Sequence, residues 1–372
     1  MAAGGSALPV SVSEDVRAGE RAAFLQEAGW GDAAVTAFSG DASTRRYFRA
    51  SKGSERAILM DAPAAAETPL APDNASPQER HALGYNAVAR LAGNNVAAFA
   101  GIAQALIERG FSAPRVLAAD MERGLLLIED LGEGLYARAI PAGAHEGKLY
   151  ASAVDTLAAI YRSSFAPVFE AQGQSWRVHD YDQTALLAET GLYLDWYLPR
   201  FAVRPSDDLR AEWEGVWQAA FAGLEAHAPG LALRDYHAEN LLWLPDREVE
   251  GRTGLLDFQD ALFAHPAYDL VSLIEDARRD VSPDLAEPLK DRFFKAAKLN
   301  DRASFDAAYA VLGAQRNAKI LGIFVRLAER DGKARYLDLI PRVKAHFDRD
   351  LAHPALRDVA ALVRKAMPEG AR

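Results

Sequence analysis

The stretch Leu231-Ala232-Leu233-Arg234-Asp235-Tyr236-His237-Ala238-Glu239-Asn240-Leu241-Leu242-Trp243 is followed by Leu255-Leu256-Asp257-Phe258-Gln259-Asp260, with Asp257 seventeen residues beyond Asn240. The interval D-x-H-x-x-N suits a tight loop ahead of a short strand at 241–244, and a second apolar strand at 253–256 delivers Asp257 at its C-terminal end. Singly, each of these residues reads as a turn former or cap. Jointly they carry the spacing phosphoryl transfer needs: Asp235 as the base for an attacking hydroxyl, Asn240 and Asp257 as oxygen ligands for Mg²⁺ on nucleotide phosphates. His237 reads as a structural residue that orients the loop, since Asp235 already holds the base role. Asp260 extends the metal or substrate site. Asp269, in His265-Pro266-Ala267-Tyr268-Asp269-Leu270, reads as a helix cap or as a buried partner of the loop backbone.

Working outward, the N-terminal part is β-rich. Residues 1–12 read as a disordered tail and 14–29 as a helix ended by glycine. Strands at 34–38 and 45–50 bracket the small-residue turn Ser39-Gly40-Asp41-Ala42-Ser43-Thr44, which is an ordinary hairpin turn or a loop that lays N–H groups over phosphates. A third strand, Ala57-Ile58-Leu59-Met60, runs into Asp61-Ala62-Pro63, where Met60 holds the place a protein kinase gives to a phosphate-binding lysine. Arg46 or Arg49 on the preceding strand would supply the positive charge instead, or be solvated or paired at the surface. After two helices at 78–91 and 95–109, strands at 115–119 and 124–128 lead into Ile128-Glu129-Asp130-Leu131-Gly132, an extended hinge at which a domain boundary falls. The division expected is a tail at 1–12, a nucleotide-binding lobe at 13–131 and a catalytic lobe at 132–372.

From Glu133 onward the pattern is helical except near the catalytic stretch. In the helix at 182–197, Tyr193 and Tyr197 fall on the apolar face, while Trp196 sits at its edge as core or as a sugar-stacking residue. About five further helices follow from Ala267 to Ala366. One, at 303–327, carries Gln315, Arg316, Asn317 and Lys319 inside an apolar run. These polar groups form a solvated stripe, or Arg316 and Lys319 line a substrate pocket and meet an anionic group.

Composition narrows the field. The 42 Lys and Arg against 52 Asp and Glu, a net charge of −10, disfavour a general nucleic-acid or anionic-membrane binder. The absence of cysteine excludes disulfides, thiolate zinc sites and cysteine nucleophiles. No basic n-region with an apolar core opens the chain, and no run of some 18 apolar residues interrupts it. A cytoplasmic monomer is expected, with ATP and a small molecule, not nucleic acid or membrane, as its partners.

These residues resemble the aminoglycoside phosphotransferase and choline kinase superfamily. Arg234-Asp235-Tyr236-His237-Ala238-Glu239-Asn240-Leu241 is similar to its H-G-D-x-H-x-x-N loop, with Arg234 before the Asp. Leu256-Asp257-Phe258 is similar to its metal motif, and His265 to Leu270 to the segment that follows. Gly40 to Arg49, Met60-Asp61-Ala62-Pro63, Asp195-Trp196-Tyr197-Leu198-Pro199 and Gln315 to Gly322 resemble the bacterial anomeric sugar kinases of peptidoglycan recycling. The resemblance implies an α+β, protein-kinase-like fold of two lobes, a small antiparallel sheet and a large helical lobe. It also implies ATP and Mg²⁺ as cofactors, Gly40, Asp41, Ala42, Ser43 and Thr44 as the phosphate loop, and Ile128, Glu129, Asp130 and Leu131 as the adenine hinge. The acceptor implied is the C1 hydroxyl of N-acetylmuramate or N-acetylglucosamine. A kinase for choline, homoserine or an aminoglycoside, and a nucleotide-binding pseudokinase, are the alternatives.

Overall fold

The computed structural model describes residues 14–38, 44–63 and 70–367. The expected tail and the turn residues Gly40, Asp41, Ala42 and Ser43 lie outside them. The chain divides into two compact units, one of Met1–Ala87, Leu91–Gly132 and Ala166–Arg177, the other of Val88–Arg90, Glu133–Phe165 and Val178–Arg372.

The first unit is built on an antiparallel sheet of β1 (Ala34–Ala37), β2 (Arg46–Lys52), β3 (Glu55–Asp61), β4 (Val116–Asp120) and β5 (Leu125–Glu129), ordered β1-β2-β3-β5-β4. Strand alternation sorts its side chains onto two faces. Ala50, Ala57, Leu59, Leu125 and Leu127 pack with Phe24 and Leu25 of α1 (Glu14–Glu27). Asp61 ends β3 on that same face. It is fully buried, and Arg17 and Arg21 of α1 hold its two carboxylate oxygens at 2.6 and 2.7 Å. The other face carries Tyr47, Arg49, Ile58, Met60, Leu126 and Ile128, aligned by strand register.

Two local departures from the sequence pattern have clear causes. The helix expected over 78–91 is two pieces, α2 (Pro77–Leu83) and α3 (Tyr85–Val88). Gly84 parts them at φ 101°, a left-handed conformation few other residues adopt. After α4 (Val96–Ile107), and far along the chain, the hairpin β6 (Val168–Ala171) and β7 (Gln174–Arg177) packs on α4, where continued helix was expected. Its turn residues Gln172 and Gly173 take φ of 54° and 71°, as a two-residue type I′ turn demands.

The second unit is mainly helical: α5 (Tyr136–Ala139), α6 (Glu146–Arg162), α7 (Gln183–Leu192) and α8 (Asp207–Phe221), then α9 (Ala267–Ile274), α10 (Pro283–Ala296), α11 (Arg302–Glu329), α12 (Ile340–Leu351) and α13 (Arg357–Ala366). Between α8 and α9 lie two small nested antiparallel pairs, β8 (Gly230–Ala232) with β11 (Leu262–Ala264) and β9 (Leu241–Trp243) with β10 (Thr253–Leu255). The nesting brings the segment after β8 beside the segment after β10. The long α11 packs against α7, α9 and α12 and is the spine of the unit. Its Gly322 lies so close to α7 that a Cβ there would stand 2.3 Å from the Leu192 carbonyl oxygen. Past α7 the chain continues as a single π turn, Tyr193–Tyr197, whose Tyr193 ring stacks on Trp213 at 5.2 Å between centroids. Tyr193 and Tyr197 are buried, Trp196 half-buried, and Asp195 pairs at the surface with Arg210. Among the described residues no helix is long and apolar enough to cross a membrane.

Candidate active site

The loop after β8 turns on an unusual residue. Arg234 takes φ +70°, the left-handed region that glycine enters freely and an arginine enters at a cost of about 1–2 kcal/mol. Several contacts outweigh that cost. Asp269, buried on α9, accepts the N–H groups of Leu233 at 2.6 Å and Arg234 at 2.9 Å. The Arg234 guanidinium donates to the Ala89 carbonyl at 2.9 Å and to the fully buried carboxylate of Glu189 on α7. Burial opposes the charge on Asp269 more than the two N–H groups favour it, and its carboxyl is pushed up to about 6.

Downstream the loop is pinned through Asn240. Its Nδ2 donates to the Asp235 carbonyl at 3.0 Å and lies 3.4 Å from His237 Nε2, while its own carbonyl accepts the Leu256 N–H at 3.0 Å. That last bond couples the 234–240 loop to the end of β10, where Asp257 follows with φ +55° and accepts from Gln259 Nε2 at 2.8 Å. Asp235, Asn240 and Asp257 are thereby gathered on two adjacent loops. Asp260 is half-buried just beyond, facing Arg234 electrostatically. His237 is buried, its Nε2 3.4 Å from Arg278 Nη1, and burial pushes its imidazole down to about 4, so it is neutral near pH 7.

The polar run of α11 is not a solvated stripe, because Gln315, Arg316, Asn317 and Lys319 are all buried. Gln315 donates to Glu189 Oε2 at 3.0 Å and to the Tyr181 hydroxyl, which itself donates to Glu189. Lys319 Nζ reaches Glu189 at 3.1 Å and the Tyr268 hydroxyl at 3.0 Å. Arg316 donates to the Arg234 carbonyl at 3.1 Å and lies 3.7 Å from Asp235 Oδ1. Burial works against the charge on Asp235. Arg316 first, then His237, Lys319 and Arg234, outweigh it and hold the carboxyl down at about 2.

Sequence reasoning did not single out Arg234 or Glu189. Arg234 stood in a glycine position of the loop pattern, which was the available signal. Glu189 gave none, because a glutamate in a helix reads as surface until its partners are known.

In the first unit, Ile128 and Glu129 close β5, and Asp130 and Leu131 follow. Asp130 accepts the Gly132 N–H at 2.9 Å and pairs with Arg49 at 2.8 Å, whose guanidinium also lies over the Phe38 ring. Arg46 pairs with Glu14 on the α1 face of the sheet, and Thr44 donates to Asn94.

A histidine pair supports the start of α9. His265 Nδ1 accepts the Ala267 N–H at 3.1 Å, which leaves Nε2–H to donate to His227 Nδ1 at 3.3 Å, and His227 Nε2–H to donate to the Asn300 carbonyl at 2.8 Å. Burial, then His227, pushes His265 down to about 3. The folded chain thus holds His265 neutral, whereas the unfolded chain protonates it below about 6.5. Stability should fall as pH drops from 6.5 toward 3, by on the order of 5 kcal/mol at full development. Urea midpoints measured from pH 7.5 to 4.5 test this. A His265→Phe variant, weaker at pH 7.5, should show a shallower acid slope, and an unchanged slope would assign the acid lability to other groups.

An antiparallel five-stranded sheet in one unit, and in the other a helical scaffold carrying an Asp, Asn and Asp on adjacent loops, define a kinase-like fold. The chain belongs to the phosphotransferase enzyme family, whose model matches residues 34–307. It is 46% identical over 353 residues to an N-acetylmuramate/N-acetylglucosamine kinase of Caulobacter vibrioides, covering 95% of this chain and 97% of that one. It is 31% identical to a kinase of the same name from Pseudomonas aeruginosa, covering 94% and 93%. Its fold is similar to that of a choline/ethanolamine kinase family protein from Mesorhizobium loti, with a TM-score of 0.56, 16% identity and coverage of 95% and 99%.

Proposed function

We propose that this chain is an ATP-dependent sugar kinase acting on the anomeric C1 hydroxyl of N-acetylmuramate, N-acetylglucosamine or both, a step that would feed cell-wall sugar recycling. The observation that supports the reading is the pair of hydrogen bonds at Asn240, one to the Asp235 carbonyl and one from the Leu256 N–H, which brings the loop of Asp235 and Asn240 beside the segment that leads to Asp257. The names of the relatives support the substrate class.

The donor set fits Mg²⁺. Asn240 commits its nitrogen to Asp235, which leaves its amide oxygen for a cation, and Asp257 adds a carboxylate. Among the described residues no group of three or more His, Cys, Asp and Glu gathers at a metal position. Two hard oxygen donors suit an ion that keeps several water and phosphate ligands. Bound there, Mg²⁺ would neutralise charge on the nucleotide phosphates.

Asp235 orients the C1 hydroxyl by accepting its hydrogen bond. The C1 hydroxyl oxygen attacks the γ-phosphorus, the bond to the β-γ bridging oxygen breaks to release ADP, and the hydroxyl proton passes to Asp235. A carboxyl held near 2 is a weak base, so the proton moves late, as the phosphate ester forms. An anomeric hydroxyl, more acidic than an ordinary alcohol, suits such a base. In the first unit, the backbone of Ile128, Glu129, Asp130 and Leu131 would receive adenine, and Gly40 to Thr44 the phosphates. Trp196 and Asp260 are the remaining candidates for sugar contact.

ATP consumption with N-acetylmuramate, N-acetylglucosamine, choline, homoserine and an aminoglycoside tests the reading, with loss of reducing-end reactivity marking C1 as the acceptor. Turnover with neither amino sugar would sink it. Asp257→Ala should weaken Mg²⁺-dependent nucleotide binding by at least the roughly 10- to 100-fold that loss of a supporting group costs a metal site. Unchanged Mg²⁺ dependence would refute the ligand role.

A further inference from the structure

Arg316 is the charged side chain that the resemblance invites one to offer to the carboxylate of an acidic sugar. Its surroundings argue otherwise. Its side chain is 7% exposed, against 42% for the Asp235 side chain it faces, so a sugar arriving from solvent meets the carboxylate and not the guanidinium. Nη1 is committed to the Arg234 carbonyl at 3.1 Å and lies 3.4 Å from the Tyr268 hydroxyl. Nη2 points at Asp235 Oδ1 from 3.7 Å, which is within ion-pair range yet longer than a hydrogen bond. The Tyr268 hydroxyl in turn receives Lys319, and Lys319 is held by Glu189. Asp269 in addition holds the N–H groups of Leu233 and Arg234. The peptide leading into Asp235 is therefore gripped at its N–H groups by α9 and at its carbonyl by α11.

We propose that Arg316 is a positioning residue for the base and not a substrate ligand: anchored on the Arg234 carbonyl, it fixes the direction of the Asp235 carboxylate from behind and leaves its outer edge to the acceptor hydroxyl. Lys319 lies one layer further back, held by Glu189 and the Tyr268 hydroxyl. This rests on the reading of Asp235 as the base. It also separates two uses of a buried cation that sequence cannot separate, since both require only an arginine on an apolar helix.

The two uses predict different kinetics. Arg316→Met should lower kcat by about 10- to 100-fold, the cost of a small misplacement of a reacting group, with KM for the sugar and for ATP changed by less than about threefold. The loss should be the same for N-acetylmuramate and N-acetylglucosamine, although only the former carries a carboxylate. Arg316→Lys, which restores the charge without the fork, should recover part of the rate. In the Asp235→Asn background Arg316→Met should cost little more, because the group it positions is gone. Folding of each variant is read from its affinity for Mg²⁺-ATP, and if Arg316→Met fails that check, Arg316→Lys against the parent carries the same comparison.

A rise in KM confined to N-acetylmuramate would overturn the proposal in favour of anion binding. Unchanged kcat, or a loss that multiplies fully with Asp235→Asn, would overturn it in favour of no role or a general structural one. If instead Asp235→Asn itself turns over normally, the assignment of the base fails, and this inference with it. An inactive Asp235→Asn beside an Arg316→Met of unchanged kcat defeats this inference alone.

Discussion

Asp235→Asn is expected to lower kcat by about 10²- to 10⁴-fold while Mg²⁺-ATP still binds. The substitution keeps the shape of the side chain and removes its ability to take a proton. It also places a neutral amide 3.7 Å from a buried guanidinium that had balanced a carboxylate held near 2. Arg316 keeps its hydrogen bond to the Arg234 carbonyl, and Asn240 and Asp257, the proposed metal ligands, are unchanged, so nucleotide affinity should move little. Calorimetric titration with an ATP analogue and steady-state kinetics separate the two quantities. Near-normal kcat would remove Asp235 from the chemistry, and equal losses in binding and rate would make it a general organiser of the loop.

The largest effect on stability should come from Glu189→Gln, in the buried cluster between α7 and α11. Glu189 is fully buried and serves Arg234, Lys319, Tyr181 and Gln315 together. Burial would raise its carboxyl, but Lys319 first, then Arg234 and the hydrogen bonds of Tyr181 and Gln315, hold it below the ordinary range. Glutamine matches the shape yet leaves two buried cations without their anion and turns an N–H₂ toward groups that are all donors. Breaking a buried pair in this way costs about 3–5 kcal/mol. Asp195→Asn at the surface pair with Arg210 should cost less than about 1 kcal/mol and serves as the control. Urea unfolding of both variants, followed by tryptophan fluorescence, decides. A Glu189→Gln loss as small as the control would mean that water reaches the cluster and the pair is not truly dry.

The loop at 234–240 and its hairpin to Asp257 were legible because the pattern is local. Asp235, His237 and Asn240 lie within six residues, and the loop closes on Asp257 through a short hairpin. The antiparallel sheet was legible for the same reason, as alternation in β2, β3 and β5 is a property of neighbours. What failed depended on contacts far apart in sequence. Gln315 and Lys319 sit on an otherwise apolar helix, and nothing near them in the chain announces Glu189, some 130 residues earlier, as their buried partner. The place where a lysine was sought shows the same limit. Met60 there is uncharged, and its neighbour Asp61 points to the other face of the sheet, where it is answered by Arg17 and Arg21 from a helix more than three dozen residues upstream. The hairpin β6–β7 was missed because four-residue strands carry too little alternation to stand out against helix, although Gln172-Gly173 marked its turn.

The left-handed Arg234 has a consequence for how the sequence can change. Glycine at this position would relieve the backbone, yet it would leave Glu189 facing Lys319 with one cation fewer. Losing Glu189 first would strand Arg234 in a conformation it holds only while its guanidinium is bound. Each single step therefore passes through a less stable protein, and the two positions, with Lys319 beside them, form one epistatic unit. A library varying residue 234 alone should return almost only arginine, whereas one varying 189, 234 and 319 together should recover functional combinations built on glycine and apolar residues.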